Sequence, residues 1–551
     1  MGLFSKKTFE QLRNEAAENG LGSLKRVLGP ISLIAMGIGV IVGAGLFSIT
    51  GLVAANYSGP AITLSFVIAA ICCCFAGLCY AEFASMIPVA GSAYTYSYAT
   101  MGELIAWLIG WDLVLEYSVA ATTVSISWSR YVVVFLDSIG ISLPTQLTTC
   151  PWNGGIVNIP AFCIVIAMSL FLIRGTRESS IVNTIIVILK ISVIFIFIFL
   201  GWKYINNDNF TPYIPDNTGQ FGHFGVSGIF RGAAIVFFAF LGFDSVSTMA
   251  QETNNPKRNM PIGILGSLFA VLILYLGFSY VMTGVANYKM FSGHDGIAPV
   301  AIAISQMGTT GADGHVVPAY PWLNRAILMA ILIGYCSVIM VTLMAQSRIF
   351  LSMGRDGLLP PFFSKIHPRF RTPAHSNMLF MLLVGLLAAF VPAEVAGEMT
   401  SIGTLFAFIL VCIGIIILRH TMHDQERAFK VPLVPLIPGL GAISCFIVMM
   451  SLPADTWIRL FIWMVAGIDI YYFYGIRHSR QSLTDPIKNI YILHFIGAAA
   501  SLLCCIAGFW HQQIIGWCGS KWLFVFSMVF GLPHLIFHLT KGVKQRRRAP
   551  L

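Results

Sequence analysis

Gly37-Ile38-Gly39-Val40-Ile41-Val42-Gly43-Ala44-Gly45-Leu46-Phe47 lies in the middle of the first long apolar segment, residues 31–55. A helix needs about 20 apolar residues to cross a bilayer, so the segment is long enough. Yet its centre carries glycines at 37, 39, 43 and 45, and each disfavours helix by about 1 kcal/mol against alanine. Inside hydrocarbon an unpaired peptide group is costly, so a loosened helix persists only when packed in protein or lining a polar cavity. Two readings stand at this point. Gly39 and Gly43 form a small-residue face for close helix packing, or the helix breaks and its freed N–H groups hold an anion.

Around this stretch the chain is 57% hydrophobic and 10% charged, whereas soluble domains carry roughly 25% charged residues. Fourteen apolar segments stand out, near 31–55, 60–85, 103–137, 157–174, 181–202, 226–250, 262–287, 323–352, 376–392, 397–418, 432–452, 456–476, 488–510 and 519–540. None alternates as an outer-membrane strand does, so an all-α polytopic membrane protein is expected. The first segment is too long for a signal peptide and follows a polar tail.

A net charge of +10 invites a nucleic-acid reading, but the distribution of the charge argues against it. An even number of spans puts both termini on one side. Lys6, Lys7, Arg13, Lys25 and Arg26 share that side with Arg174, Arg177, Lys257, Arg258, Arg348, Arg355, Lys365, Arg369, Arg371, Arg419, Arg427, Lys430, Arg477, Arg480, Lys488 and the terminal Lys541, Lys544 and Arg546 to Arg548. Only Lys203, Lys289, Arg325, Arg459 and Lys521 fall opposite, a bias of roughly five to one that sets both termini in the cytoplasm. The basic excess then reports orientation and contact with anionic lipid in the cell membrane, with no nucleic-acid partner. The cysteines lack metal spacing: Cys72, Cys73, Cys74 and Cys79 crowd one apolar segment, where buried free thiols are the default. Cys150 and Cys518 fall in outer loops and are free to pair or not.

Three later segments carry polar residues where hydrocarbon disfavours them. The third holds Glu116, preceded by Asp112 and Glu103. An intramembrane carboxylate faces the bundle and needs a partner, either a functional one or a static hydrogen bond. The fifth holds Lys190 amid Ile185 to Val193, too deep to snorkel easily. Desolvation favours the neutral form of such an amine, so a role in proton coupling or as a cation substitute stands beside a structural salt bridge. The sixth reads Phe237-Phe238-Ala239-Phe240-Leu241-Gly242-Phe243-Asp244-Ser245. It is a second long apolar helix interrupted midway, five segments after the first. Two interrupted helices at this spacing fit an inverted repeat, in which a substrate lies where the breaks meet. That favours the broken-helix reading of residues 37–47. Pro88 to Tyr94, followed by Tyr96 and Tyr98, makes a small aromatic inner loop, either an inner gate or plain packing. The tail through Arg26 has helical spacing suited to the inner leaflet, and Ile297 to Ile304 suits a short interfacial helix.

Taken in order, Gly39 to Phe47, Trp111 to Glu116, Phe237 to Thr248, Asn255-Pro256-Lys257-Arg258-Asn259-Met260-Pro261, and Arg348-Ile349-Phe350 with Arg355 to Pro360 resemble the amino acid–polyamine–organocation superfamily. Within it, the fourteen segments are similar to the cationic amino acid transporter family. The resemblance implies a LeuT-type 5+5 inverted repeat with discontinuous helices 1 and 6, plus four C-terminal helices. Its parts would be a tail (1–30), a first repeat (31–205), a second repeat (226–419), accessory spans (432–540) and a basic tail (541–551). It implies alternating-access import of an amino acid, with protons as the coupling partner. By motif, Gly43, Ala44 and Gly45 would meet the substrate carboxylate and carbonyls of Phe238, Ala239 and Leu241 its ammonium, with Ile41 also among the substrate-binding residues. Lys190 would stand where sodium-driven relatives bind sodium, and Glu116 and Asp244 would form a carboxylate pair. Cys336 and Ser337 would help wall the pocket, with Tyr335 and Glu252 at gates. Gln251 stands where relatives often carry a first acidic residue, which leaves Glu252 alone there. An exchanger or facilitator of cationic amino acids and a sensor with little flux remain as alternatives. No nucleophile–base pair, cofactor motif or metal spacing argues for an enzyme. Whether a small single-span subunit joins the chain is left open by the sequence.

Overall fold

The structure, a computed structural model, describes residues 3–8, 11, 29–87, 92–174, 179–247, 253–292, 299–310, 316–367, 372–422, 427–480, 490–515 and 521–546. Every one of the fourteen apolar segments falls on a helix or an interrupted helix. Among the described residues nine helices are long and apolar enough to cross a membrane, accompanied by shorter apolar helices such as Pro30–Ile41 and Ala374–Phe390.

Helix α1 (Pro30–Ile41) starts with proline in its first turn, where the missing N–H costs nothing. It stops at Val42, whose φ of −74° and ψ of 105° are extended. The chain turns helical again as α2, the consecutive runs Gly45–Ile49, Thr50–Val53 and Ala54–Ser58. Then come α3 (Ile62–Met86), the short α4 (Ser92–Thr100), α5 (Glu103–Asp137), α6 (Ile159–Arg174) and α7 (Ser179–Trp202). Helix α8 (Gly225–Val236) tightens into a 3₁₀ turn, Phe237–Phe240, and breaks before α9 (Phe243–Ser247). After α10 (Pro256–Val285), helix α11 (Pro299–Ser305) precedes a small hairpin of β1 (Gly308–Thr310) and β2 (Val316–Pro318), antiparallel with Thr309 opposite Val317. The remainder is α12 (Pro321–Arg355), α13 (Ala374–Phe390), α14 (Ala393–Thr421), α15 (Leu436–Met450), α16 (Ala454–Ile470), α17 (Ile490–Ile515) and α18 (Lys521–Arg546).

Helices α1, α3, α5, α10, α12 and α14 pack about the two breaks, while α17 and α18 pair with each other and reach the rest through α16. Helix α16 is pinned to α5 by a reciprocal pair: the Trp111 indole donates to the Trp463 carbonyl at 2.9 Å, and the Trp463 indole donates back to Trp111 at 3.0 Å. The inner end of α3 is fixed by Glu82, which accepts two 2.8 Å bonds from Arg419 and one of 2.7 Å from the Val431 amide, with Arg427 at 3.3 Å. A carboxylate with no solvent exposure is tolerable only with such partners.

Two local expectations are revised. Residues 3–8 are not helical; they form an extended strap under the bundle. The Leu3 and Ser5 carbonyls accept the Leu104 and Glu103 amides at 2.9 and 3.0 Å, capping α5, whose Ncap Gly102 has no side chain to do so. Lys7 bonds Asp356 at 2.6 Å. Helix α11 exists but is buried at Val300, Ala303 and Ile304, so it packs into the core and does not lie on an interface. Most of the tail up to Arg26, and also Glu252 and Cys518, lie outside the described residues.

Candidate substrate site between two broken helices

The breaks of α1/α2 and α8/α9 face each other. Leu46 and Phe47 donate to the Gly43 carbonyl at 3.2 and 3.1 Å, so the amides of Gly43, Ala44 and Gly45 precede the first hydrogen-bonded turn of α2. A helix start leaves such donors open, at its positive end. Across the gap, Leu241 is extended with ψ of 139°, and Gly242 has a φ of +110°, a conformation side chains resist. The approach is close: a Cβ on Gly45 would lie 2.3 Å from the Ala239 Cα, and one on Gly242 would lie 2.5 Å from a Val40 methyl. These glycines are what lets the two interruptions meet.

Between them is a cavity with room for about 20 Å³ of a water-sized body, roughly one ordered water. Its wall includes Ile41, Gly43, Ala44, Gly45, Phe238 and Leu241, with Ala120, Val124, Val338 and Thr342 on the side-chain side. A second cavity of about 20 Å³ lies along α2 toward Tyr57, beside Ser127, Glu394 and Glu398. Tyr57 is covered by the Arg231 guanidinium, 4.9 Å from the ring centre. On the opposite side of the breaks, rings of Tyr80, Tyr96, Phe243 and Phe408 interlock at 4.9–6.1 Å, and Tyr96 stacks on Phe83. The expected aromatic loop is helical and buried from Ser92 to Thr100 as α4, while Pro88 to Gly91 lie outside the described residues. The conformer is closed on both sides of a chamber too small for an amino acid.

Two side chains hold the breaks. The Lys190 ammonium, 1% exposed, donates to the Gly39 carbonyl at 2.8 Å and the Val42 carbonyl at 3.1 Å. These are carbonyls left at the end of α1, the electronegative end of its dipole. The Tyr275 hydroxyl lies 3.0 Å from the Ile41 carbonyl and 2.7 Å from the Ala239 carbonyl. It bridges both interruptions, and sequence reasoning missed it.

Several candidate residues fall elsewhere. The Ala239 carbonyl is engaged by Tyr275, and the Phe238 carbonyl accepts the Leu241 amide at 3.2 Å; the wall retains the Leu241 backbone. From α12 the wall is Val338 and Thr342, about one turn beyond Tyr335, Cys336 and Ser337. Tyr335 instead bonds Ser48 at 2.9 Å, while Cys336 and Ser337 bond their own helix at Leu332 and Gly334. Glu116 and Asp244 do not line the cavity. Tyr117 donates to Asp244 at 2.5 Å. Glu116 lies beside Asp112, Asp244 and Thr404, its oxygens without a partner at hydrogen-bond distance among the described residues. No group of metal-ligating side chains occurs among the described residues.

Two interrupted helices whose breaks meet are a pattern that recurs in secondary transporters. Comparison with known proteins agrees. The family model described as "Amino acid permease" matches residues 28–471. The chain is 42% identical to "Branched-chain amino acid permease BcaP" of Bacillus subtilis (strain 168) over 482 residues, covering 87% of this chain and 98% of that protein. It is 39% identical to the "Methylthioribose transporter" of the same organism over 479 residues, with the same coverage of 87% and 98%. It is 34% identical to "Cationic amino acid transporter 4, vacuolar" of Arabidopsis thaliana over 417 residues, 74% of this chain and 65% of that protein. The chain belongs to the amino acid permease family, within the amino acid–polyamine–organocation superfamily. It is a multi-pass membrane protein and a transporter of amino acids, not an enzyme.

Proposed function

We propose that this permease imports a neutral amino acid across the cytoplasmic membrane by alternating access, coupled to protons. In this reading fourteen spans form a LeuT-type 5+5 inverted repeat with four accessory helices, both termini inside. The repeats comprise residues 31–205 and 226–419, and the accessory spans residues 432–540. The observation that carries the proposal is the closed cavity between the breaks. Open amides at Gly43, Ala44 and Gly45 suit a carboxylate, and the exposed Leu241 backbone suits an ammonium a few ångströms away. The side-chain wall of Ala120, Val124, Val338 and Thr342 carries no charge to offset a cationic side chain, and burying an unpaired charge is prohibitive. That favours a neutral, aliphatic substrate over a cationic one. "Branched-chain amino acid permease BcaP", the printed name of a 42% identical relative, agrees with this choice.

Proton coupling rests on Lys190. Its ammonium occupies the carbonyl cage at the end of α1, where a metal cation would otherwise be needed to satisfy those carbonyls. Loss of its proton removes the cation and frees Gly39 and Val42, so protonation and the shape of the first break are linked. Glu116 and Asp244 serve as buried acids next to the site, and Tyr335 and Glu252 as gate residues. Purified protein in liposomes should accumulate labelled leucine, isoleucine, valine or alanine when the outside is acidified, with no sodium present. Sodium-driven uptake indifferent to the pH gradient would refute the coupling, and preferential uptake of arginine or lysine would refute the substrate class.

A further inference from the structure

The motif Asn255-Pro256-Lys257-Arg258-Asn259-Met260-Pro261 has no part in the substrate cavity. It opens α10, and beside it lies an open groove of about 530 Å³. Lys257 and Arg258 stand at its mouth, Pro261, Ile262 and Leu265 continue its wall down α10, and Phe429 closes the far side. That far wall is anchored by Glu82, whose carboxylate lies 3.3 Å from Arg427 and accepts the Val431 amide at 2.7 Å. Below the mouth the surface turns apolar. Further along α10, Phe269 (67% exposed) and Ile273 (55% exposed) continue an apolar surface. Ile262, Phe269 and Ile273 recur at helical spacing under Arg258, so one stripe runs from two cations into an apolar furrow.

We infer that this groove is a binding site for one anionic phospholipid, its phosphate between Lys257 and Arg258 and an acyl chain along Ile262, Phe269 and Ile273. The chemistry selects such a lipid. A free phosphate has no use for the furrow, and a zwitterionic lipid brings a second cation to a basic mouth. The site bears on α1. Leu33 and Ile34 fit against Gly263 and Gly266, and Gly37 against Ser267, on the neighbouring face of α10. A lipid seated on α10 therefore braces the helix against which the first half of the broken span rests.

Full-length protein in mild detergent, titrated with dioleoyl phosphatidylglycerol and followed by native mass spectrometry and thermal melting, tests this directly. A bound phosphatidylglycerol and a raised melting temperature are expected, while phosphatidylcholine of the same chains and inorganic phosphate give neither. K257Q/R258Q should weaken retention about tenfold, K257R/R258K should keep it, and R477Q, at another basic inner position, should leave it unchanged. Ile262→Trp, which fills the groove but keeps both cations, should also expel the lipid. Retention unaltered in K257Q/R258Q, or equal protection by phosphatidylcholine or inorganic phosphate, would overturn the assignment. Because binding is read without transport, the outcome is independent of the proposed substrate and coupling.

Discussion

The Nζ of Lys190 lies 2.8 Å from the carbonyl oxygen of Gly39, a residue 151 positions earlier in the chain. Its methylenes pack on Gly334, where a Cβ would lie 2.9 Å from the Lys190 Cε. One side chain thus joins α7, the end of α1 and the middle of α12.

Lys190→Met keeps much of this volume and deletes the charge. Hydrogen bonds to a charged donor are worth about 1.5–3 kcal/mol each. Proton-driven accumulation in liposomes should fall at least about tenfold, while counterflow exchange persists. Accumulation at the wild-type level would remove Lys190 from the coupling step.

Tyr275→Phe removes a hydroxyl and strands two buried carbonyls. A buried unsatisfied polar group costs about 1–3 kcal/mol. A lower melting temperature and weaker substrate binding are expected together, since the same hydroxyl sets the distance between the breaks. A thermal melt reads the first and calorimetric titration with the preferred amino acid the second; unchanged affinity would make Tyr275 a purely structural clasp.

Gly45→Ala puts a methyl within 2.5 Å of Ala239 side-chain and backbone atoms, whereas at Gly29 nothing lies within 4 Å. Overpacking typically costs 1–3 kcal/mol, and here the strain falls on the wall of the chamber. Uptake should be abolished by Gly45→Ala and preserved by Gly29→Ala, measured at equal membrane abundance.

Val338→Ala removes two methyls from the side-chain wall. Discrimination by one methylene in an apolar pocket is about 10–200-fold. Competition assays should therefore show improved inhibition by phenylalanine or methionine and a poorer grip on alanine. An unaltered inhibition profile would place the side-chain pocket elsewhere.

The two interruptions were legible because both conflict with their surroundings: glycines in a hydrocarbon-length helix, and Gly242 with Asp244 and Ser245 in another. The conflict is local, so a single chain reveals it. Lys190 and the buried carboxylates were legible for the same reason. The α12 wall was read about one turn early, because Tyr335, Cys336 and Ser337 draw attention by polarity, whereas Val338 and Thr342 resemble any helix interior. Tyr275 was overlooked as one aromatic among many, although Ser267, Val271, Tyr275 and Ser279 recur every fourth residue and so define one face. The tail showed helical spacing, but the uncapped amides of α5 recruit residues 3–8 as an extended strap. A contact between segments about 100 or 349 residues apart cannot be read from either segment alone.

That strap has a consequence for biogenesis. Lys7 leaves the ribosome 349 residues before Asp356, its partner, and translation proceeds at about 5–20 residues per second. The Leu3 and Ser5 carbonyls can meet the start of α5 early, but the Lys7 ion pair must wait tens of seconds more until Asp356, at the end of α12, has been made. A tag or fusion at the amino terminus burdens the docking of this strap against α5 and Asp356, whereas one at the opposite terminus leaves that step alone.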